Sequence, residues 1–355
     1  MDLISLRGLD NRLGTLRSMI QRSILKVLSY TDVLSMLENL NRSVTLQEKV
    51  IRSLNFDDAE NKNNFDILRL EMVQATDNIS SRIEAAASKS YDLSLLSTLI
   101  GGDIREEDLV VVNDLRLGQL IFPSYDETIA PWIKKFGTWD EAICKYMIAN
   151  LRSGASFLNI GSNVGYFAIL GAKIVGSNGS VYAFEPHPKI YKIAQLNYSL
   201  KILPSIKHFN IAGSDSTGTL NLYVSSKNGG DHRVWADEEA ADQSLLGPVE
   251  SMPIDNIVED IPIDLVLIDT QGFDFQVIKG LENTLKNCRP IIICEFMPSW
   301  ISSQGKNPLD VINYYESLGY LVTLLENQNI KSIDILSWMN INAQEEVNLL
   351  LSPDL

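Results

Sequence analysis

One short stretch, residues 156–167, constrains the fold more than any other part of the chain. It reads S-F-L-N-I-G-S-N-V-G-Y-F. The apolar run Phe157 to Ile160 has the length of a buried parallel strand, and apolar residues at helical spacing resume at Val164. Two glycines, Gly161 and Gly165, lie between these patterns. A strand, a glycine turn and a helix bring free backbone N–H groups close to a ligand, so the stretch predicts a ligand-binding turn.

The glycine spacing bears on the kind of ligand. A dinucleotide-binding turn carries G-x-G-x-x-G, and its middle glycine lets the backbone approach the pyrophosphate. In this chain Asn163 occupies the middle position, which leaves G-x-x-x-G. A nucleoside ligand without phosphates, such as S-adenosylmethionine, does not need that glycine. Taken alone, the turn is equally compatible with a strand, turn and helix that bind nothing.

Apolar strands and helices alternate after this turn. Near-continuous apolar strands separated by helices are typical of an open, doubly wound parallel sheet. The predicted strands are 157–160, 180–185, 206–212, 219–224, 263–269, 290–296, 320–325 and 333–336, and the predicted helices are 164–175, 189–200, 273–286 and 308–318. A hairpin with its turn at Asn113-Asp114 and a helix over 141–151 are predicted before the sheet.

The beginning of the chain carries a different pattern. Over residues 6–51, a heptad starting at Leu6 has apolar or aromatic residues at eleven of its fourteen a and d positions, and no proline. The pattern predicts a coiled coil, with an amphipathic helix packed on its own domain as the alternative. A second helical stripe follows over residues 65–86.

These patterns divide the chain into four expected regions. Residues 1–100 are predicted to form an α-helical coiled-coil region through which the chain self-associates. Residues 101–152 are a β-hairpin and helical lead-in, and residues 153–340 are a Rossmann-like catalytic domain. Residues 341–355 are expected to be a C-terminal tail.

Charge is distributed unevenly along the 355 residues, whose formal net charge is −15. Residues 1–100 hold 12 Lys or Arg and 13 Asp or Glu, so almost all of the acidic excess lies in the remainder. An acidic catalytic region argues against a nucleic-acid partner, because nucleic acids are recognised by basic patches. It suits a neutral or cationic small-molecule substrate.

Several signals bear on the compartment. The three cysteines show no metal-ligand spacing, so we expect reduced thiols and a cytoplasmic location. The first residues lack the basic and apolar regions of a signal peptide. No apolar run reaches the roughly 20 residues that span a bilayer, so no membrane span is expected.

Candidate binding residues stand where the predicted strands end. Glu185 follows the second strand of the domain, where an acid can accept both ribose hydroxyls of a nucleoside. Ala212 ends the third strand, where a small residue lets an adenine lie against backbone. Asp269 ends a later strand, at the sheet edge where open α/β folds bind ligands. Each position also has a structural reading: an exposed acid, a simple turn and a helix N-cap.

The stretch from Ser225 to Pro262 shows little periodicity, and segments of this length without structure are usually functional or disordered. It contains N-G-G-D-H-R-V-W. Of its residues, His232 is the best-placed general base because imidazole titrates near neutrality, although a loop histidine is often only solvated. Asp231 is a second candidate, and Arg233 and Trp235 are predicted to contact substrate.

Five motifs in order resemble one family. They are N-I-G-S-N-V-G-Y-F, A-F-E-P-H-P, N-G-G-D-H-R, L-I-D-T-Q-G-F-D-F-Q-V-I-K-G and I-C-E-F-M-P. Together they are similar to the FkbM family of S-adenosylmethionine-dependent methyltransferases, over roughly residues 105–325. The resemblance implies the class I methyltransferase fold, a seven-stranded, mostly parallel sheet with its last strand antiparallel. It also implies methylation of a hydroxyl, often on a sugar or polyketide-like product.

The resemblance assigns roles to matching residues. The methionine end of the cofactor would be lined by Asn159, Gly161, Asn163 and Gly165. The ribose would be held by Glu185, while Asp269 and Gln271 would face the transfer site. Two positions depart from the family pattern: many methyltransferases have an acid at Asn159, and many FkbM-like sequences have V-E in place of Thr270-Gln271.

We therefore expect an O-methyltransferase that uses S-adenosylmethionine and acts on a sugar, glycan or similar polyol. An alcohol is a poor nucleophile until a base or metal removes its proton. The candidates for that step are His232, Asp231 and Asp269, and the sequence shows no metal-ligand cluster. The alternatives are an inactive methyltransferase-like assembly protein that works through its coiled coil and a nicotinamide-dependent oxidoreductase.

Overall fold

A computed structural model describes residues 104–201, 203, 206–236, 242–326, 329–331 and 346–354. The predicted coiled coil over residues 1–100 and the predicted strand over 333–336 lie outside the described residues. No helix within the described ranges combines the length and apolar character needed to cross a bilayer.

Strands and helices alternate along the described chain. The strands are β1 (Leu109–Asp114), β2 (Gly118–Pro123), β3 (Ser156–Ile160), β4 (Ser180–Phe184), β5 (Ile206–Phe209), β6 (Ala212–Gly213), β7 (Gly218–Ser225), β8 (His232–Arg233), β9 (Gln243–Met252), β10 (Leu265–Ile268), β11 (Ile291–Phe296), β12 (Tyr320–Glu326), β13 (Asn329–Lys331) and β14 (Val347–Pro353). The helices are α1 (Ile129–Phe136), α2 (Glu141–Asn150), α3 (Tyr166–Val175), α4 (Pro188–Ser199), α5 (Asp255–Val258), α6 (Asp274–Lys279), α7 (Glu282–Cys288), α8 (Pro298–Ser303) and α9 (Pro308–Ser317).

One large sheet forms the centre of the fold. Seven of its strands lie in the order β5-β4-β3-β10-β11-β14-β12, and the short strand β13 pairs with β12 at the outer edge. The first five run parallel to one another, whereas β14 is antiparallel to both of its neighbours. The predicted class I methyltransferase arrangement, with its last strand antiparallel, is confirmed.

The parallel register brings the predicted site residues to one edge of this sheet. Asn159 in β3 pairs with Ala183 in β4 on one side and with Leu267 in β10 on the other. Each strand ends one residue later. The turn after β3, Glu185 after β4 and Asp269 after β10 therefore emerge side by side, at the carboxyl edge where open α/β sheets bind ligands.

The described part of residues 341–355, predicted as a tail, is a strand of the central sheet. β14 lies between β11 and β12, with Val347 paired to Phe296 and Leu351 paired to both Ile292 and Val322. Its partners are distant in the chain, so the local pattern did not indicate the pairing. The sheet therefore continues beyond residue 340.

The described parts of the stretch from Ser225 to Pro262, residues 225–236 and 242–262, contain more secondary structure than predicted. They contain β8, β9 and α5, and β6, β9, β7 and β8 form a second, four-stranded sheet. The predicted strand over 206–212 is divided between the two sheets as β5 and β6. The sequence does not indicate β9, because one of its ten residues is buried and it contains Gly247 and Pro248, so it lacks the apolar alternation of a half-buried strand.

The predicted helix over 273–286 is interrupted. Helix α6 ends at Lys279 and α7 begins at Glu282. A Cβ atom at Gly280 would lie only 1.9 Å from the backbone oxygen of Ser214. The chain therefore needs glycine at this position, where it passes against the second sheet.

The predicted hairpin is confirmed as β1 and β2, with its turn over 115–117 rather than at Asn113-Asp114. Asp114 closes that turn by accepting hydrogen bonds from the backbone N–H groups of Arg116 and Leu117. The other carboxylate oxygen of Asp114 accepts a 2.7 Å hydrogen bond from the Tyr166 hydroxyl at the start of α3. This contact joins the lead-in to the helix that follows the glycine turn.

A fully buried amide makes a second connection. Asn197 in α4 accepts a hydrogen bond from Ile121 N and donates to Ile121 O and Val164 O, at 2.7, 2.9 and 2.9 Å. The side chain thus satisfies the backbone of β2 much as a neighbouring strand would. One residue ties the hairpin, the glycine turn and α4 together.

We expect Asn197→Ala to lower the free energy of unfolding by about 2–4 kcal/mol, because it leaves buried backbone groups without partners. Denaturant unfolding of the purified protein measures the loss. The control is Asn313→Ala, at an exposed position of α9. Equal effects of the two substitutions would contradict the role given to Asn197.

Candidate functional site

The turn after β3, residues 161–165, is called the glycine turn here. The backbone N–H groups of Gly161 and Ser162 both donate to Phe184 O, at 2.9 and 2.8 Å, which holds the turn against the end of β4. Gly161 has φ +78°, and a Cβ atom there would lie 1.8 Å from the backbone oxygen of Asp269. Glycine is required because the turns after β3 and β10 touch.

Asn163 anchors the middle of the glycine turn in a left-handed conformation, with φ +50°. Its backbone N–H donates to Glu185 Oε2 at 2.9 Å, and its side-chain Nδ2 donates to Gly229 O at 2.7 Å. Its Oδ1 accepts from Val164 N at 2.6 Å. Asn163 therefore connects the predicted ribose acid to the N-G-G segment of the second sheet.

Glu185 is held rigidly at the carboxyl end of β4. Only 5% of the residue is exposed, and its Oε1 accepts a 2.8 Å hydrogen bond from His187 N. Burial raises the pKa of Glu185 to about 7, although the backbone hydrogen bonds from His187 and Asn163 oppose the shift. Each carboxylate oxygen keeps a lone pair beyond its backbone bond, so the group can still accept ligand hydroxyls.

Asn159 presents a buried amide with no partner. The residue is 1% exposed, and neither its Oδ1 nor its Nδ2 forms a hydrogen bond with the described residues. Leaving such a group unpaired costs free energy, which a bound polar ligand can recover. The amide lies two residues before Gly161, at the same edge of the sheet as the glycine turn.

The turn after β10, residues 269–272, is called the acid turn here. Gln271 has φ +53°, and its side-chain Nε2 donates to Asp269 Oδ1 at 2.8 Å and to Glu295 Oε1 at 3.0 Å. Both carboxyls lie on the same face of the sheet, because Leu267 and Ile293, two residues earlier, are paired. One amide thus bridges two acids.

The acid turn is crowded with carboxyls that raise one another's pKa. Enclosure by the protein, with Glu346, Asp140 and Asp231 nearby, raises the pKa of Asp269 to about 7, and the Gln271 hydrogen bond opposes that rise. Burial and the Asp269 carboxylate raise the pKa of Asp274 to about 8. We call Asp269, Asp274, Glu295 and Glu346 the carboxyl cluster.

Glu295 also belongs to this site, although no sequence motif indicates a role for it. The residue is 7% exposed, its Oε2 forms no hydrogen bond with the described residues, and burial together with Asp269 and Glu346 raises its pKa well above the usual range. An acid near the end of a wholly apolar strand, I-I-I-C-E-F, is the signal that could have identified it.

Asp231, Arg233 and Trp235 form a wall beside the acid turn. The carboxylate of Asp231 pairs with the buried guanidinium of Arg233 through two bonds of 2.6 and 3.0 Å. That guanidinium lies 4.1 Å from the ring centre of Trp300 and 5.1 Å from that of Trp235. Trp235 also donates to the backbone oxygen of Gln271 at 2.8 Å. The wall is rigid and partly aromatic.

His232 contacts Tyr125, Ser225 and His187 rather than Asp269 or Gln271. Its Nδ1 accepts a hydrogen bond from Ser225 N at 3.3 Å, and its Nε2 lies 3.2 Å from the Tyr125 hydroxyl. Its ring packs 4.7 Å from that of His187, close to Glu185. Burial lowers the pKa of His232 to about 4, so the imidazole is neutral at neutral pH.

Ala212 lies in β6, where it pairs with Ser251. It is buried, and a Cβ atom on the next residue, Gly213, would lie 3.1 Å from a methyl group of Ile160. The small residues of β6 thus pack against the end of β3.

Within the described ranges, no group of three or more His, Cys, Asp or Glu is arranged to hold a metal ion.

Part of the chain is similar in sequence to known methyltransferases. Residues 159–322 match the family model described as the methyltransferase FkbM domain. A curated relative, methyltransferase sdnD of Sordaria araneosa, is 26% identical over 190 residues, which are 45% of this chain and 73% of that protein.

Solved structures are similar at lower identity. Methyltransferase FkbM from Methylobacillus flagellatus is 14% identical with a TM-score of 0.35, and the match covers 59% of this chain and 50% of that one. An S-adenosylmethionine-dependent O-methyltransferase from Thermotoga maritima is 14% identical with a TM-score of 0.35, over 67% of this chain and 74% of that one. The chain therefore spans half the length of the first of these structures.

The raised pKa of Asp274 predicts a pH-dependent stability. Because its pKa is higher in the folded protein than in the unfolded chain, its stabilising effect is complete below about pH 4 and is lost as the pH rises towards 8. Asp274→Asn mimics the protonated form and keeps an acceptor for the Thr270 hydroxyl. We compare the melting temperature of the variant with that of the wild type at each pH. The difference, variant minus wild type, should be about 4 °C or more larger at pH 8 than at pH 5.

The control for this measurement is Asp310→Asn at an exposed position of α9. Its difference from the wild type should stay constant over the same pH range. A constant difference for Asp274→Asn as well would show that Asp274 is ionised in the folded protein.

Proposed function

We propose that the chain methylates a hydroxyl of a sugar, glycan or similar polyol. The proposal rests on the match of residues 159–322 to the FkbM methyltransferase domain, whose cofactor is S-adenosylmethionine. The bound cofactor supplies an already activated methyl group. The protein must therefore bind the cofactor, align the acceptor oxygen, exclude water and receive the acceptor's proton.

The cofactor site follows from the glycine turn. Gly161 and Gly165 let the turn pack closely against the Asp269 backbone and the Tyr198 ring, and Asn163 ties the turn to Glu185. The Glu185 carboxylate is placed to accept the ribose hydroxyls, and the unpaired Asn159 amide to bind the methionine end. Ala212 is proposed to lie near the adenine.

Of the three candidate bases, Asp269 is supported best. Asp231 is held in a bidentate pair with Arg233. Both ring nitrogens of His232 are engaged, because Nδ1 accepts from Ser225 N and Nε2 carries the proton towards Tyr125. Asp269 is partly exposed, and its Oδ2 accepts no hydrogen bond from the described residues.

The observation that carries the proposal is the contact between the glycine turn and the acid turn. Gly161 packs directly against the backbone of Asp269. The proposed cofactor turn and the proposed base are therefore adjacent, as an in-line transfer to a deprotonating hydroxyl requires. A base with a pKa near 7 can take up a proton at neutral pH.

The walls of the site favour a neutral polyol as acceptor. The carboxyl cluster repels an anionic substrate, whereas its oxygens can accept hydrogen bonds from several hydroxyls. Trp235 and Trp300 are partly exposed beside the acid turn, and aromatic rings of this kind can pack against the apolar face of a sugar. We propose that Trp235 and Gln271 contact the acceptor and that Arg233 holds this wall in place.

Two further proposals concern the whole chain. Residues 1–100, outside the described ranges, are proposed to hold the chain in an oligomer, and the cytoplasm is proposed as its location. The nicotinamide-dependent alternative is no longer favoured, because the family model that matches is a methyltransferase. An inactive assembly protein is left as an outcome of the binding test.

We expect Glu185→Gln to weaken binding of S-adenosylhomocysteine by about tenfold or more, and Glu185→Ala to abolish it, because each removes a charged acceptor for hydroxyl groups. Isothermal titration calorimetry measures the affinity. Glu127→Gln is the control, since Glu127 is exposed and bonds to Lys227 through its backbone only. Normal binding by both Glu185 variants would refute this cofactor site, and no binding by the wild type would favour the assembly role.

The role of Asp269 predicts the pH dependence of transfer. Since the carboxylate must be ionised to take a proton, kcat/KM should rise as the pH increases through about 7 and then level off. Asp269→Asn should lower kcat by about 100-fold or more while changing affinity for S-adenosylhomocysteine little. His232→Gln should retain most of the activity. The opposite ranking of these two variants would assign the base to His232.

A further inference from the structure

Building on the proposed hydroxyl methylation, we propose that Gln271 is a positioning residue that keeps two neighbouring acids in different protonation states. Its amide donates one N–H to Asp269 Oδ1 and the other to Glu295 Oε1. Asp269 is thereby kept as the ionised proton acceptor, and Glu295 is kept as a neutral acid.

Each hydrogen bond fixes where a proton can reside. An amide N–H needs an acceptor oxygen, so Oδ1 of Asp269 and Oε1 of Glu295 must both stay unprotonated. A proton on Glu295 is then confined to Oε2, which is buried, and the neighbouring Glu346 favours the protonated form of Glu295. A proton taken from the acceptor is confined to Oδ2 of Asp269.

The proton balance follows from this arrangement. The acceptor hydroxyl gives its proton to Oδ2 of Asp269 while its oxygen forms the new bond to the methyl group. The bond between that methyl group and the sulfonium sulfur breaks, and the sulfur keeps the electron pair. Asp269 ends the step neutral and returns its proton to solvent, since the residue is partly exposed.

The backbone around Gln271 holds the amide in place. Its φ of +53° is unusual for a residue other than glycine, and Trp235 donates to its backbone oxygen at 2.8 Å. On the other side, Gln304 Nε2 donates to the oxygen of Gly272 at 2.7 Å. The Trp235 bond acts on the backbone of Gln271 itself and holds that residue with its amide aimed at the two carboxyls, whereas the Gln304 bond acts on the next residue.

The pairing explains why an amide suits this position. Several acids face Asp269 from different elements: Glu295 on β11, Asp274 on α6, Asp140 at the start of α2, Asp231 before β8, Glu346 before β14, and Glu185 after β4. The nearby Arg233 guanidinium is paired with Asp231. Gln271 thus supplies Asp269 with a hydrogen-bond donor where another carboxylate would oppose its ionisation.

The test uses Gln271→Met, which keeps the side-chain length without the amide, and Gln271→Glu, which adds a charge. Both should raise the pKa of Asp269 by about one unit or more, with the larger shift for Gln271→Glu. The readout is the infrared carboxyl band titrated against pH in the protein without cofactor, with Asp269→Asn used to assign the band. This readout does not depend on turnover.

Turnover gives the second readout. For Gln271→Met, kcat/KM at pH 7 should fall about tenfold and recover to within about threefold of the wild type at pH 9. The control is Gln304→Met, which removes a hydrogen bond from the same turn without touching a carboxyl. Its pH profile should match that of the wild type.

The outcomes separate this inference from the proposed function. An unshifted carboxyl titration in Gln271→Met, or the same shift in Gln304→Met, would overturn the positioning role even if the wild type methylates polyols. A wild type that transfers no methyl group to any polyol would refute the proposed function, whereas the carboxyl titration would still report on Gln271.

Discussion

The contact between two backbone turns is the constraint on which the site depends. Gly161 lies so close to the carbonyl of Asp269 that any side chain would overlap it. The parallel pairing of β3 with β10 makes this approach possible, because it brings both strands to an end at the same level. The glycine turn, joined to Glu185 through Asn163, is the proposed holder of the nucleoside ligand, and the acid turn presents a carboxylate beside it. The pairing of β3 with β10 thus fixes the distance between the glycine turn and the acid turn.

Several acids are concentrated around the acid turn, and a fold tolerates buried acids only at a cost in stability. Asp269, Asp274 and Glu295 have pKa values raised above those of free side chains because burial and neighbouring carboxylates disfavour ionisation. Asn163 and Gln271 also adopt left-handed backbone conformations that residues other than glycine seldom use. Both are fixed by hydrogen bonds to neighbouring elements. Two left-handed backbone positions and several carboxyls with raised pKa values thus lie at the proposed site, while the apolar strands beneath them are buried.

The sequence predicted the parts of this structure that are encoded locally. A buried strand, a glycine turn and an acid at a strand end are short-range signals, so β3, Glu185 and Asp269 could be placed from the sequence and the sheet brought them together. Long-range pairing was not visible. The partners of β14 lie far away in the chain, and β9 is too exposed to show alternation. The bridge from Gln271 to Glu295 escaped prediction because it depends on the register between β10 and β11.

The most direct test of this account is a crystal structure of the chain with S-adenosylhomocysteine. The account predicts that the ribose hydroxyls bond to Glu185, that the methionine end satisfies the Asn159 amide, and that the sulfur faces Oδ2 of Asp269 across a gap wide enough for a hydroxyl. A ligand whose sulfur instead faces His232, or one that leaves the Asn159 amide and the Glu185 carboxylate untouched, would contradict it.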